Sequence, residues 1–327
     1  MLKIYEVENY KEYGKCLAIS NDNIEALVTL DVGPRIISFK FNDDENVLLD
    51  ERSEFEPMGG VEFDNHYYKG AAWESFGGHR LWVAPESLPE TYNPDIKPVE
   101  YSVNDNSVTF TQAPQTENGV QISFKITMDE LKPEMLVEHF GTNITNEDKE
   151  FALWPITVLA KNGIEIIPLN TNDTGLLPNR NITFWPYSKL NDPRLNVLER
   201  YITVKQDPNN KDAFKIGVDC NQGVGYYVLN NTVFSKEYTH TMFGKYPDFS
   251  ASYESYTNET ILEFESLSPL FNVAPNETIK HTEKFVLYKK PEASDLSSDD
   301  KIDEFIKKLT CEKWLWTINW NLNTATI

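Results

Sequence analysis

V-Q-I-S-F-K-I-T-M, residues 120–128, is the stretch that decides the fold class. Val120, Ile122, Phe124, Ile126 and Met128 alternate with Gln121, Ser123, Lys125 and Thr127. An extended chain therefore turns its apolar side chains to one face and its polar ones to water. Asn118-Gly119 just before it is a hairpin turn by chemistry, since both residues tolerate positive φ, and Ser107–Gln112 reads as the partner strand. The same pattern extends outward. Ile24–Leu30 and Arg35–Phe41 flank the turn D-V-G-P, and Glu134–Thr145 and Phe151–Ala160 lead through Asn162-Gly163 into Ile164–Pro168. Further strands are read at Tyr201–Lys205, Ala213–Val218, Val224–Leu229, Val233–Lys236, Ser250–Tyr256, Thr260–Leu267 and Glu277–Lys289. In all, roughly eighteen to twenty short strands leave sandwiches, barrels and propellers, and the lack of a blade-length repeat counts against a propeller. Only Asp299–Leu309 has a helical period, with Ile302, Phe305, Ile306 and Leu309 at i, i+3, i+4 and i+7. The expectation is an all-β fold, a large antiparallel sandwich with long loops over one face and a short C-terminal helix.

Bulk properties narrow the function. A chain of 327 residues, 40% hydrophobic and 13% aromatic, buries a large core and is not disordered. Its formal charge of −21 and the absence of a Lys/Arg cluster exclude a nucleic-acid partner and argue against an anionic membrane surface. Cys16, Cys220 and Cys311 fit neither a zinc spacing nor a disulfide framework and read as reduced structural thiols. No basic start followed by an apolar run marks a signal peptide, and no run is long enough to span a membrane; the expected location is cytoplasmic. No phosphate-binding glycine loop, HExxH or GxSxG is present, and no cofactor or metal is expected. Residues 1–290 read as one domain. Residues 291–327 read as a linker, the short helix and a tail with Trp314, Trp316 and Trp320, expected to pack on the sheet or to form a homodimer contact with a second subunit.

Several segments stand out chemically. In T-I-L-E-F-E-S-L, residues 260–267, alternation puts Glu263 and Glu265 on one face and Leu262 and Phe264 on the other. Residues two apart on a strand lie roughly 7 Å apart, close enough for like charges to push one pKa upward. G-G-H-R-L-W-V-A-P-E, residues 77–86, brings His79, Arg80 and Trp82 together after a glycine-rich connection. Arginine offers a fork of donors, histidine transfers a proton near neutrality, and tryptophan gives a sugar ring a flat face. Arg80 has natural partners in Glu263 or Glu265. A second long connection, 169–200, holds Asn179, Arg180, Trp185, Tyr187, Asp192 and Arg194, a mixture of planar rings and paired donors that suits carbohydrate hydroxyls and C–H faces. His240 lies in a polar aromatic stretch at 238–250, while His139 in mid-strand reads as a satisfied core or surface histidine.

The order of these motifs resembles the galactose mutarotase-like superfamily, the β-supersandwich of aldose 1-epimerases, with its nearest likeness to a bacterial domain-of-unknown-function branch. The resemblance rests on G-P-R-I-I-S-F (33–39), G-G-H-R-L-W-V-A-P-E (77–86), L-L-P-N-R (176–180) and W-P-Y-S-K-L-N-D-P-R (185–194). It continues with L-E-F-E-S-L-S-P-L-F-N-V-A-P-N-E (262–277) and H-T-E-K-F-V-L (281–287). It implies a late-strand glutamate as general base, here Glu265 or Glu263, with Arg80 as a sugar-holding group and His79 as the neighbouring histidine. The chain departs from the pattern at Trp154, which stands where the epimerases carry their acid; an indole N–H donates a hydrogen bond but no proton at neutral pH. His79 or His240 would then have to supply that proton. Three readings follow. The chain acts at the anomeric centre of an aldose; or it binds a mono- or oligosaccharide without catalysis in a cleft lined by Trp82, Trp154, Trp185 and Tyr187; or, least favoured, it is a glycoside hydrolase or lyase using two carboxylates.

Overall fold

The computed structural model describes residues 2–52, 56–292 and 294–310. Two antiparallel sheets face one another. The eleven-stranded sheet runs, in hydrogen-bonded order, Lys3–Val7, Cys16–Ser20, Ile24–Thr29, Ile36–Phe41, His79–Ala84, Lys149–Leu159, Leu262–Ser266, Tyr253–Thr257, Phe214–Val218 and Ile182–Phe184. Phe271–Val273 pairs separately with Lys149–Leu159. The ten-stranded sheet runs Leu195–Val197, Tyr201–Lys205, Ile164–Pro168, Val224–Leu229, Thr232–Tyr238, Thr278–Lys289, Glu134–Asn143, Val120–Met128, Ser107–Thr111 and Glu100–Asn104. Val120–Met128 alternates buried and half-buried residues along its whole length, as its sequence dictates.

Between the sheets, Phe39, Phe124, Phe234, Phe264 and Phe285 interlock, with Phe234 edge-on to Phe285 at 5.0 Å and tilted on Phe264 at 5.8 Å. Burying one such ring contributes about 1.5–3 kcal/mol, and truncating Phe234 to Ala costs about 3–5 kcal/mol because the surrounding rings cannot close the void. The middle strand Lys149–Leu159 is buried on both faces, which is why its sequence does not alternate in polarity. Leu153 and Phe151 pack inward, while Ala152, Trp154 and Ile156 face outward under a second cover.

That cover comes from the glycine-rich connection. It contains a short helix, Val61–His66, which sequence periodicity reads as loop because six residues carry too little pattern to show. Phe63 from the helix joins Trp73, Trp82, Trp154, Tyr246 and Leu267. The connection returns to the sheet through Gly78, where a β-carbon would lie 2.4 Å from the Ile36 carbonyl oxygen, so only glycine passes. At the far side, helix 299–310 lays Ile302, Phe305 and Leu309 on Ile166, Val228, Val233 and Val286. Asp299 anchors its start by accepting from the Arg200 and Glu199 amides. The expected packing of the tail around Trp314, Trp316 and Trp320 falls outside the described residues, as does Cys311. Cys16 and Cys220 are free and buried. Among the described residues no helix is long and apolar enough to cross a membrane.

Candidate functional site

Cross-strand register builds the site on the outward face of the eleven-stranded sheet. Glu265 stands opposite Glu254 on one side and Ile156 on the other, and Ile156 stands opposite Arg80. One step along, Glu263 stands opposite Tyr256, and Tyr256 opposite Lys215. Side chains in register share a face, so five neighbouring strands aim Arg80, Trp154, Glu263, Glu265, Glu254 and Lys215 into one region. Gly217, opposite Glu254, keeps that region open: a β-carbon there would crowd Ala251 at 2.8 Å and Trp185 at 3.3 Å.

Lys215 lies at the centre. Its ammonium is 2.7 Å from Glu254 Oε2, donates to Glu265 Oε2 at 3.0 Å, and sits 4.7 Å from the ring centres of both Trp154 and Trp185. Trp154 Nε1 donates to the same Glu265 oxygen at 2.8 Å. Both glutamates are fully buried. Burial alone would push Lys215 down, but Glu254 and Glu265 outweigh it and hold its pKa well above the ordinary lysine value. Burial raises both carboxyls, Glu254 strongly; Lys215 opposes the rise without cancelling it. Two buried carboxyls share one ammonium, so burial and their mutual repulsion oppose ionising both at once. Glu265, with two donors, is built to carry the charge. Among the described residues Glu254 meets only the Lys215 ammonium, and its pKa is raised more strongly by burial, which makes it the member of the pair that keeps a proton more readily.

Beside this cluster, Arg80 Nη2 donates to Glu263 Oε1 at 3.0 Å, so of its two expected partners Arg80 takes Glu263. The guanidinium stacks 4.1 Å over Trp82 and 5.5 Å from Trp73, and Trp82 packs on Trp154 and Tyr92. Glu263 remains 14% exposed, the more accessible of the two strand carboxylates. Tyr187 is half exposed at the rim against Tyr256.

Other expected site residues lie apart. His79 is the main correction: strand alternation turns it away from Arg80 into the space between the sheets, fully buried against Phe124 and Phe285. It cannot reach a ligand on the outer face. Asp192 and Arg194 form a buried bidentate pair, with the arginine also donating to the Asp212 carbonyl, and so clamp their own loop. Asn179 donates to the Asn172 carbonyl and Arg180 to that of Glu199, contacts that shape the second connection. His240 contacts Asp219 at 2.7 Å and stacks on Tyr246, one layer removed from the glutamates. Glu254 and Lys215 are not among the expected site residues; the reading of Ser250–Tyr256 as a strand next to Thr260–Leu267 is the one signal bearing on Glu254, and Lys215 has none. A groove of about 290 Å³ between Tyr67, Pro94, Gln112 and Glu117 holds none of the clustered acids.

Comparison with solved structures names the architecture. A galactose mutarotase-like protein from Lactobacillus casei superposes over 84% of this chain and 100% of its own, with a TM-score of 0.52 at 10% identity. The chain has the galactose mutarotase-like fold. A second galactose mutarotase-like protein, from Clostridium acetobutylicum, matches over 88% of this chain and 99% of its own, with a TM-score of 0.52 at 11% identity. The Slr1438 protein of Synechocystis reaches 0.54 at 9% identity over 89% of this chain and 97% of its own. No family model and no curated protein matches the chain. Identities this low carry the fold and leave function to the site itself.

Proposed function

We propose that the outward face recognises an aldose and acts at its anomeric centre, with Glu265 as base and Glu254 as acid. What carries this reading is the carboxyl pair on adjacent strands sharing a single ammonium. Glu265 takes the proton of the anomeric hydroxyl as the carbon–oxygen double bond forms. The bond from the anomeric carbon to the ring oxygen breaks, and that oxygen takes the proton from Glu254. Rotation and the reverse transfers close the ring as the other anomer, with no other reactant consumed. Glu254 thereby fills the acid role left open by Trp154, and Lys215 holds the developing carboxylates in place. The Trp82 and Tyr187 rings and the Arg80–Glu263 pair offer the sugar its faces and hydroxyl partners. Both carboxyls are fully buried, so turnover requires their cover to lift.

One observation favours a second reading, sugar binding without catalysis: Glu265 is sealed, with Trp154 and Lys215 already occupying one of its oxygens. Saturation-transfer NMR of anomer exchange on a panel of aldoses separates the two. On the first reading the wild type accelerates exchange, and Glu265→Gln and Glu254→Gln each lower the rate about 10²–10⁴-fold. Line broadening by a bound sugar with no acceleration would leave only recognition. Neither effect with any aldose would end both readings.

A further inference from the structure

Between the sheets lies a second polar cluster with no place in that chemistry. His79 from the eleven-stranded sheet meets His139 and Glu283 from the ten-stranded one, and all three are fully buried. Three atoms converge: His79 Nε2 and His139 Nε2 are 2.8 Å apart, and Glu283 Oε2 lies 3.6 and 3.8 Å from them. The point equidistant from atoms at those separations is about 2.0 Å from each, a first-row transition-metal bond to imidazole or carboxylate.

The outer partners are those a metal site needs. His139 Nδ1 contacts the His281 carbonyl oxygen at 3.3 Å, which takes the ring proton and leaves Nε2 with its lone pair inward. His79 Nδ1 contacts Thr157 Oγ1 at 2.9 Å, which can do the same for the second ring. Glu283 Oε1 is held by Lys236 at 2.9 Å and by the Ser266 hydroxyl at 2.7 Å. Its Oε2 has no hydrogen-bond partner among the described residues, although it is buried and aimed at both imidazoles. A sealed carboxylate oxygen without a donor costs free energy, and a cation at the convergence point removes that cost.

We propose that His79, His139 and Glu283 bind one divalent first-row transition ion, zinc being the probe of choice, as a clip joining the two sheets. The donor set has no sequence signature, because its members lie sixty and more than a hundred residues apart and only sheet packing assembles them. Being sealed, the site loads as the chain folds. Thr157 and the His281 carbonyl act as positioning groups. The reading is independent of the sugar chemistry on the other face.

The test is to refold the full chain with excess zinc, remove free ion by exchange, and count bound metal. One equivalent per chain is expected, with X-ray absorption at the zinc edge giving two imidazoles and a carboxylate. His139→Gln should lose the ion, Thr157→Val should weaken it about 10–100-fold, and zinc should raise the wild-type thermal midpoint but not that of His139→Gln. Should His139→Gln not fold, the absorption spectrum of the wild type decides alone. Native refolding with far less than one equivalent would mean that the imidazoles hydrogen-bond to each other and the proposal fails. Metal bound equally by His79→Gln and His139→Gln, or a spectrum with no imidazole, would overturn it too.

Discussion

Two buried lysines, Lys215 of the eleven-stranded sheet and Lys236 of the ten-stranded one, meet glutamates in different places and shift in opposite directions. Lys215 on the outward face meets Glu254 and Glu265 and is held well above its ordinary pKa despite its burial. Lys236 in the interior has only Glu283 in direct ion contact, and there burial wins and pushes it down. Both are buried; Lys215 has two carboxyls in direct ion contact and Lys236 has one. The outward face thus gathers two carboxyls about one ammonium, with the Trp154 and Trp185 rings beside it. In the interior Lys236 meets a single carboxylate, Glu283, which the Ser266 hydroxyl also holds, an arrangement suited to holding sheets together.

Removing each lysine tests that contrast with the largest effect. Lys215→Met and Lys236→Met should each cost about 3–5 kcal/mol at neutral pH, since each leaves buried carboxylate without its cation. Their pH dependence reports how many more protons each folded state holds than the wild type. Without the lysine the folded-state carboxyl pKa values rise further above the ordinary 4.5, so the stability present at low pH is lost as pH rises. If the outward pair already keeps one proton in the wild type, each substitution leaves one further carboxyl protonated in the folded state and should steepen the loss of stability by about 1.4 kcal/mol per pH unit relative to the wild type. Denaturant titrations from pH 5 to 8 with a chelator present measure both slopes. A Lys215→Met profile steepened by about 2.7 kcal/mol per pH unit would mean that the outward pair holds no proton in the wild type.

Glu165 sharpens the picture of the interior with a smaller effect. It is fully buried, accepts from the Tyr253 and Ser255 hydroxyls, and is pushed up to about 8, burial being the main cause. An acid whose folded pKa is raised stabilises the fold below its unfolded pKa, and that contribution fades as pH climbs through the folded value. Between about 4.5 and about 8, Glu165 should therefore take about 1.4 kcal/mol of stability per pH unit. Glu165→Gln, which cannot ionise, should flatten the stability profile across that window and leave stability near pH 5 little changed. A profile as steep as that of the wild type would assign the slope to other groups.

These outcomes bear on what the sequence makes legible. Strand period is local, so Val120–Met128 and the shared face of Glu263 and Glu265 are readable from a few residues, and the C-terminal helix declares itself by its 3.6 spacing. Alternation also separates His79 from Arg80, a fact that conflicts with placing both in one cleft; the family pattern unites them and the strand divides them. Glu254 and Lys215 look like ordinary surface residues until cross-strand register sets them opposite Glu265 and Tyr256. Asp192 and Arg194 suit a sugar equally well on paper, but two residues apart in a loop they satisfy each other first. What escapes the sequence is register between distant strands, because pairing partners are chosen by packing of the whole sheet rather than by nearest neighbours.

The smallest effect concerns the wall between the acids and solvent. Arg80 pairs with Glu263 and also lies flat over Trp82, 4.1 Å from its centre. Lysine would preserve the charge and lose the planar contact, so Arg80→Lys isolates shape from charge. A desolvated guanidinium on an indole face contributes about 0.5–2 kcal/mol, and the substitution should lower unfolding stability by that amount while Arg80→Ala costs more. Arg200, whose pairs with Asp300 and Asp303 are exposed, supplies the control: Arg200→Lys should leave the unfolding midpoint unmoved. If the aromatic wall is keyed to the guanidinium plane, sugar-induced line broadening should weaken with Arg80→Lys even where stability barely changes, because Trp82 would lose the surface that fixes its tilt. Unchanged binding in Arg80→Lys and lost binding in Arg80→Ala would make Arg80 a counterion to Glu263, and recognition would then rest on charge rather than on the stacked wall.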